Sequence, residues 1–307
     1  MVSPLRWQTA RMAITSKGHE KDLLLVALVP ILWGLNFPAT AIALRHFPPL
    51  LAAALRFAIL CIPAALFFPR PKVELKWLVG TGFGLGLMQF AFLYLGMHAG
   101  MPSGLASLVL QASAPFTLIL SSVFLHETLG RRQVIGVGIA VIGLTLIAVH
   151  KSQDAALLPV VLTLLGALGW AIGNICSRKA RAPRPLDLTM WMSFIPPIPL
   201  FLLSLAIDGP TADRQALETV FTRQALPSVL GLLYIVVFAS IVGYGIWNTL
   251  MSRHKASDVA PWSMLVPVIG VLSSWAVFGE KPTRAELLAG LLVVGGVLFA
   301  TLSPSRS

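Results

Sequence analysis

The chain has 307 residues, of which 56% are hydrophobic and 11% charged, with a formal net charge of +11. So few charges exclude an ordinary soluble globular domain, in which about 25% of residues are charged. The basic excess does not read as a nucleic-acid surface, because its cations gather in short hairpins between apolar runs and act as a topology signal.

Ten apolar runs follow one another, near 22–44, 50–68, 77–97, 103–125, 133–149, 156–176, 188–206, 226–249, 258–278 and 285–302. Each approaches the roughly 20 residues that cross about 30 Å of hydrocarbon as a helix. Continuous rather than alternating hydrophobicity favours helices over the strands of a barrel. The expected fold is an all-α polytopic membrane protein with ten transmembrane helices. With the N-terminus inside, sixteen Lys and Arg fall on the inner side and six outside, while Arg56 lies within a span. That imbalance predicts that both termini are cytoplasmic. Residues 1–21 lead into a full-length span without a small-residue cleavage site, which predicts a retained tail, and 303–307 form a second one. Residues 207–225 are expected to be a solvated outer loop. Cys61 and Cys176 fall inside spans and read as small buried hydrophobes rather than a disulfide or metal pair.

Residues 115–148 recur 152 positions later: Pro115, Ser121, Ser122, Arg132, Gly138, Val141 and Gly143 reappear as Pro267, Ser273, Ser274, Arg284, Gly290, Val293 and Gly295. Upstream, Trp33 and Asn36 resemble Trp170 and Asn174 at offsets of 137 and 138. An insertion in the long outer loop reconciles the offsets. The chain then divides into two five-span halves, 22–149 and 150–302, and an odd count places the second upside down. Gly80, Gly82, Gly84 and Gly86 give two overlapping small-xxx-small pairs, and Gly166, Gly169 and Gly173 crowd the sixth span. Pro38, Pro115 and Pro267 interrupt spans, so kinks are expected there.

Candidate solute-binding residues are polar or aromatic groups within spans. Trp33 and Asn36 share a helix face, as do Trp170 and Asn174. An aromatic plate beside an amide suits a small amphipathic solute, and interhelical bridging is the alternative. Gln89 and Gln111 lie deep in the third and fourth spans, and Ser240, Tyr244 and Asn248 form a stripe on the eighth. Arg56 either snorkels to the interface or faces a wet cavity and attracts a carboxylate. All twelve acidic residues fall in loops or at span ends, which disfavours a midplane carboxylate relay. No phosphate loop, metal-ligand spacing or nucleophile–base set stands out, so no catalytic residue, metal or cofactor is expected.

WGLNF at 33–37, PPLLAAALRF at 48–57 and GMPSGLASLVLQASAPFT at 100–117 carry a family resemblance, with SIVGYGIWNTLMSRH at 240–254, VAPWSMLVPVIGVLSS at 259–274 and FGE at 278–280. The chain resembles the EamA family of the drug/metabolite transporter superfamily over almost its whole length. The resemblance implies a bacterial inner-membrane exporter with ten helices in two inverted halves around a central cavity. Its expected cargo is a small amino-acid metabolite like cysteine or O-acetylserine, and broad-specificity drug efflux is the alternative. Trp33, Asn36, Arg56, Gln111 and Tyr244 match family motifs as candidate site residues. Glu127 and Glu280 also match, with hairpin or helix-end roles expected. The expected partners are a small-molecule substrate and the lipid bilayer, with no nucleic acid. A non-transporting scaffold is a third reading.

Overall fold

The computed structural model describes residues 17–152, 157–254 and 259–301, and these contain helices and no strand. The first half comprises α1 (Lys17–Ala43), α2 (Pro49–Phe67), α3 (Leu75–His98), α4 (Ser103–Phe124) and α5 (Arg131–Ser152). The second comprises α6 (Leu157–Ala180), α7 (Pro185–Ile207), a short α8 (Pro210–Glu218), α9 (Leu226–Arg253), α10 (260–278) and α11 (Arg284–Thr301). Within the described residues, each apolar run read from the sequence falls largely on one of these helices. Among the described residues, α1–α4, α6, α7 and α9 are long and apolar enough to cross a membrane, and Trp262–Phe278 is a shorter apolar helix. Their outer faces stay apolar, with Leu24, Leu66, Phe67, Ile198, Leu202 and Leu230 exposed. A large exposed apolar surface on a well-packed bundle fits lipid rather than water.

Helix α1 begins at Lys17, ahead of its apolar stretch Leu24–Ala43, while 1–16 and 303–307 lie outside the described residues. One expectation needs correction. The outer segment 207–225 is not a plain solvated loop. Gly209, at φ 91°, turns the chain into α8, whose Asp213 is 2% exposed and accepts the Ser204 hydroxyl at 2.8 Å. Pro210 starts this helix with its fixed φ, and Ala216 docks it inward.

Helix pairing follows an exchange of halves. Helix α1 packs on α9 and α10 as α6 packs on α3 and α4, while α2–α7, α4–α10 and α5–α11 pack as partners. Swapping α1–α5 with α6, α7, α9, α10 and α11 returns these principal pairings, the mark of a pseudo-two-fold axis. Glycines make the close approaches possible. A Cβ at Gly80 would lie 2.7 Å from Cys176 Sγ, and one at Gly84 would overlap the Gly173 backbone, so this pair faces α6. Gly82 and Gly86 face Ile195 and Pro196 of α7 instead. The overlapping pairs thus serve two different neighbours.

Helical irregularities also recur. Leaving aside the short α8, the third helix of each half contains a π segment, Gly82–Met88 in α3 and Ile235–Val242 in α9. The fourth tightens into a 3-10 turn, Leu110–Ala112 in α4 and Ala260–Leu265 in α10, just before Pro115 and Pro267. A proline has no N–H for the carbonyl four residues back, and its ring crowds that carbonyl, so the preceding turn must readjust.

Candidate functional site

Side chains from both halves surround a cavity of about 410 Å³, within the 300–1,000 Å³ range of small-molecule sites. Eight of the sequence-derived candidates line it: Trp33 and Asn36 from α1, Arg56 from α2, Gln89 from α3, Gln111 from α4, Trp170 and Asn174 from α6, and Tyr244 from α9. Asn248 is not part of the lining. Its amide donates to the Tyr244 carbonyl one turn back at 2.9 Å. Tyr244 and Asn248 share one regular helical stretch, Gly243–Arg253, and Asn248 lies one turn farther toward its basic end than the cavity reaches.

Arg56 is the most unusual member. It is 3% exposed and does not snorkel. Its Nη1 donates to Tyr94 Oη at 3.1 Å and its Nη2 to Ser240 Oγ at 3.0 Å, while the guanidinium carbon sits 4.0 Å from the Phe90 ring centroid. Nε is buried without a partner. Among the described residues no carboxylate pairs with Arg56, and no other lining side chain carries a formal charge. The cavity therefore holds one uncompensated positive charge in a low-dielectric wall, where an unpaired ion costs several kcal/mol. A bound anion would recover much of that cost.

Acceptors complement this cation. Asn36 Oδ1 and Gln89 Oε1 are both buried without a protein donor. Carbonyl oxygens left in this way are costly by about 1–3 kcal/mol each and favour a solute that brings N–H or O–H groups. Gln111 Nε2 reaches only Met264 Sδ at 3.5 Å, and Asn174 Nδ2 reaches Thr117 Oγ1 at 3.4 Å, both weak contacts that a better acceptor would displace.

The walls are apolar. Trp33 lies 5.4 Å from the Tyr244 ring and 5.3 Å from Trp247, and its indole N–H donates to the Ala239 carbonyl at 2.9 Å. Trp33 thus bridges helices and lines the cavity at once, so the two readings of this residue are compatible. Gly243 makes room for it, since a Cβ there would fall 2.6 Å from Trp33 Nε1. Sequence reasoning missed Phe90, Thr117 and Met264 as lining residues, because a phenylalanine, a threonine and a methionine within spans carry no signal separate from packing.

The two ends of the bundle differ. At one end, Asp22 pairs with Arg253 and His254, Glu127 pairs with Arg178, and Trp77 lies near Lys76 and Lys179. At the other, Ser103 Oγ bonds Ser274 Oγ at 2.8 Å, and Glu280 Oε2 accepts Ser103 Oγ at 3.1 Å and the Gly104 N–H at 3.2 Å. Glu280 thereby satisfies one orphan N–H, that of Gly104, at the start of α4, the helix-end role expected for it. Arg56, Gln89 and Ser107 come from the half of their helices nearer this second end, and Thr117, Asn174 and Ser263 from the half nearer the first.

An apolar-surfaced helical bundle of two related halves around a solute-sized cavity defines a polytopic membrane transporter. The model of the EamA-like transporter family matches residues 21–149 and 157–302. The chain is 41% identical over 284 residues to a probable amino-acid metabolite efflux pump of Salmonella typhimurium, covering 91% of this chain and 94% of that protein. It is 40% identical over 285 residues to the protein of the same description in Escherichia coli, with the same coverage. A solved protein structure superposes with a TM-score of 0.57 at 20% identity, covering 94% of this chain and 99% of that one, a likeness of fold. The chain belongs to the EamA-like transporter family. It is a multi-pass membrane protein of the efflux-transporter class and not an enzyme.

Proposed function

We propose that this protein exports small amino-acid metabolites resembling cysteine or O-acetylserine across a bacterial inner membrane. In this reading ten helices cross the bilayer as two inverted five-helix halves, one spanning 22–149 and the other 150–302, and both termini are cytoplasmic. The observation that carries it is the pairing, in one cavity, of the uncompensated Arg56 cation with the unpartnered oxygens of Asn36 and Gln89. A carboxylate meets Arg56, an amino group meets the amide oxygens, and the short side chain lies between Trp33 and Trp170. Gln111, Asn174 and Tyr244 contribute further polar contacts. The names of the relatives in Salmonella typhimurium and Escherichia coli support an amino-acid metabolite as cargo.

Transport proceeds by alternating access, with the halves rocking about the cavity. The basic end, with Lys76, Arg178, Lys179 and Arg253, faces the cytoplasm under the positive-inside rule. The solute enters from that side, and rearrangement of the α4–α10 contact releases it on the other. Efflux of lipophilic cations is the rival within the same fold, and the Arg56 charge counts against it by repulsion in a low-dielectric wall.

The test is export of radiolabelled cysteine and O-acetylserine from proteoliposomes containing wild type, Trp33→Ala or Asn36→Ala at equal protein levels. Wild-type export that falls in both variants is the expected result. Failure of wild type to move either solute removes the cargo assignment, and full activity in both variants removes these residues from the binding site.

A further inference from the structure

We propose that Tyr94 and Ser240 are positioning residues that keep the Arg56 charge uncompensated, and that this makes a carboxylate obligatory in the transported solute. The inference rests on the export reading above and adds a specificity determinant to it. Tyr94 does not line the main cavity and is fully buried. Its hydroxyl is nonetheless the acceptor for Arg56 Nη1, at 3.1 Å. Ser240, 1% exposed, donates its own proton to the Ile235 carbonyl at 2.8 Å. That bond fixes the hydroxyl orientation and turns its lone pairs toward Arg56 Nη2, 3.0 Å away.

The Ser240–Ile235 bond spans five residues inside the π segment Ile235–Val242. The widened turn therefore seats the second acceptor. Phe90 covers one face of the guanidinium at 4.0 Å, and Phe57 lies 5.7 Å away. All four neighbours are neutral. They hold the side chain by two of its five N–H groups and by ring contact, and none cancels its charge. A carboxylate in place of either hydroxyl would hold Arg56 equally well and neutralise it. The choice of hydroxyls leaves charge compensation to the solute.

Two consequences separate this arrangement from ordinary packing. Removing one hydroxyl frees Arg56 to move without changing cavity volume, so affinity for a carboxylate solute falls while turnover of bound solute holds. Supplying a carboxylate at 240 removes the requirement for one in the solute. Cysteine and cysteamine, which differ by the carboxylate alone, are suitable probes under reducing conditions.

The experiment measures radiolabelled cysteine and cysteamine transport in proteoliposomes for wild type, Tyr94→Phe, Ser240→Ala and Ser240→Asp, each verified as folded by size-exclusion chromatography. Wild type is expected to carry cysteine and reject cysteamine. Tyr94→Phe and Ser240→Ala should raise the cysteine KM about tenfold, as for a lost hydrogen bond to a charge, with kcat within about twofold. Ser240→Asp should lose the preference for cysteine. If Ser240→Asp does not fold, the KM-against-kcat split in Tyr94→Phe decides. Equal transport of both probes by wild type, or a variant set in which kcat falls with KM unchanged, overturns the positioning role and leaves the export reading intact. Transport of neither probe by wild type overturns the export reading and this inference with it.

Discussion

The two ends of the α4–α10 pair are built from repeated sequence yet make different contacts. Ser274 and Glu280 tie α10 to the start of α4 through Ser103 and Gly104. Of their counterparts in the first half, Ser122 and Glu127, the latter bonds Arg178 of α6 among the described residues. Toward the tied end the helices also close on small residues, with Gly270 against Ser107 and Gly104 against Val271. Related local sequence therefore gives a zipped end, tied through Glu280, and a different pairing, Glu127 with Arg178, at the other. The cavity lining runs from Arg56, Gln89 and Ser107, nearer the tied end, to Thr117, Asn174 and Ser263, nearer the basic end.

The comparison is broken most severely by wedging the zipped end. Gly270→Leu forces a branched side chain into the Ser107 contact, where even a Cβ would lie 2.5 Å from Ser107 Oγ. Overpacking costs about 1–3 kcal/mol or more, so folded yield by fluorescence-detected size exclusion should fall steeply. The equivalent bulk at Gly245, where a Cβ meets nothing within 4 Å, should leave yield near wild type.

Next in size is the cavity cation. Arg56→Gln removes the charge at similar length, and cysteine transport efficiency should fall about 100-fold, as expected when one partner of a buried charge pair is lost. Size-exclusion behaviour should be preserved. Unchanged kcat/KM would mean that Arg56 plays no part in solute capture.

Glu280→Gln keeps the shape of the tie and weakens its acceptor. About 1–2 kcal/mol is expected from reduced charge-assisted bonding, shifting the balance toward opening of the zipped end roughly tenfold. The measurement is impermeant-maleimide labelling of Ser107→Cys, in a chain also carrying Cys61→Ala and Cys176→Ala, from the side of the zipped end. Labelling should rise on adding Glu280→Gln. At the opposite end, Arg178→Ala removes a pair whose side chains are half exposed, worth less than about 1 kcal/mol, and should alter labelling little.

The smallest effect is a pH dependence of α8. Burial pushes the Asp213 carboxyl above the usual carboxylate range, and neighbouring Asp208 adds to the shift against the opposing Ser204 bond. The folded state then binds its proton more tightly than the unfolded state does. Its stabilising contribution is full below the ordinary aspartate value and is lost as pH rises through the raised one. Mild acidification should therefore raise the melting temperature of the solubilised protein by this route, and Asp213→Asn should flatten that part of the pH profile.

Much of this was legible before any coordinates. The apolar runs, the 152-residue echo and the Trp33–Asn36 and Trp170–Asn174 pairs each follow from residue chemistry and helical spacing, and eight of nine candidate residues line one cavity. Asn248 shares a helix face with Tyr244 in the regular stretch Gly243–Arg253, but helical spacing does not say how far along that face the cavity extends. Nor does the sequence IVVFASIV announce the π segment that precedes them. The orientation of Arg56 was open for a similar reason. Snorkelling and burial differ by the presence of Tyr94, Ser240 and Phe90 around the guanidinium, and these come from helices 34 to 184 residues away. Nor did the charged stretch 207–225 reveal the docking of α8, which depends on Ser204 and on the surface beneath Ala216.

The sequence by itself determined a membrane-spanning helical chain of two related halves, because hydrophobic length and charge asymmetry are properties of the chain alone. It also supplied the residue types of the site. Tertiary structure decided which of them meet, how Glu280 and Glu127 are paired at opposite ends, and that Arg56 is buried without a counter-charge among the described residues. Those outcomes depend on contacts between helices distant in sequence, where π segments and prolines reset the faces that local periodicity assigns.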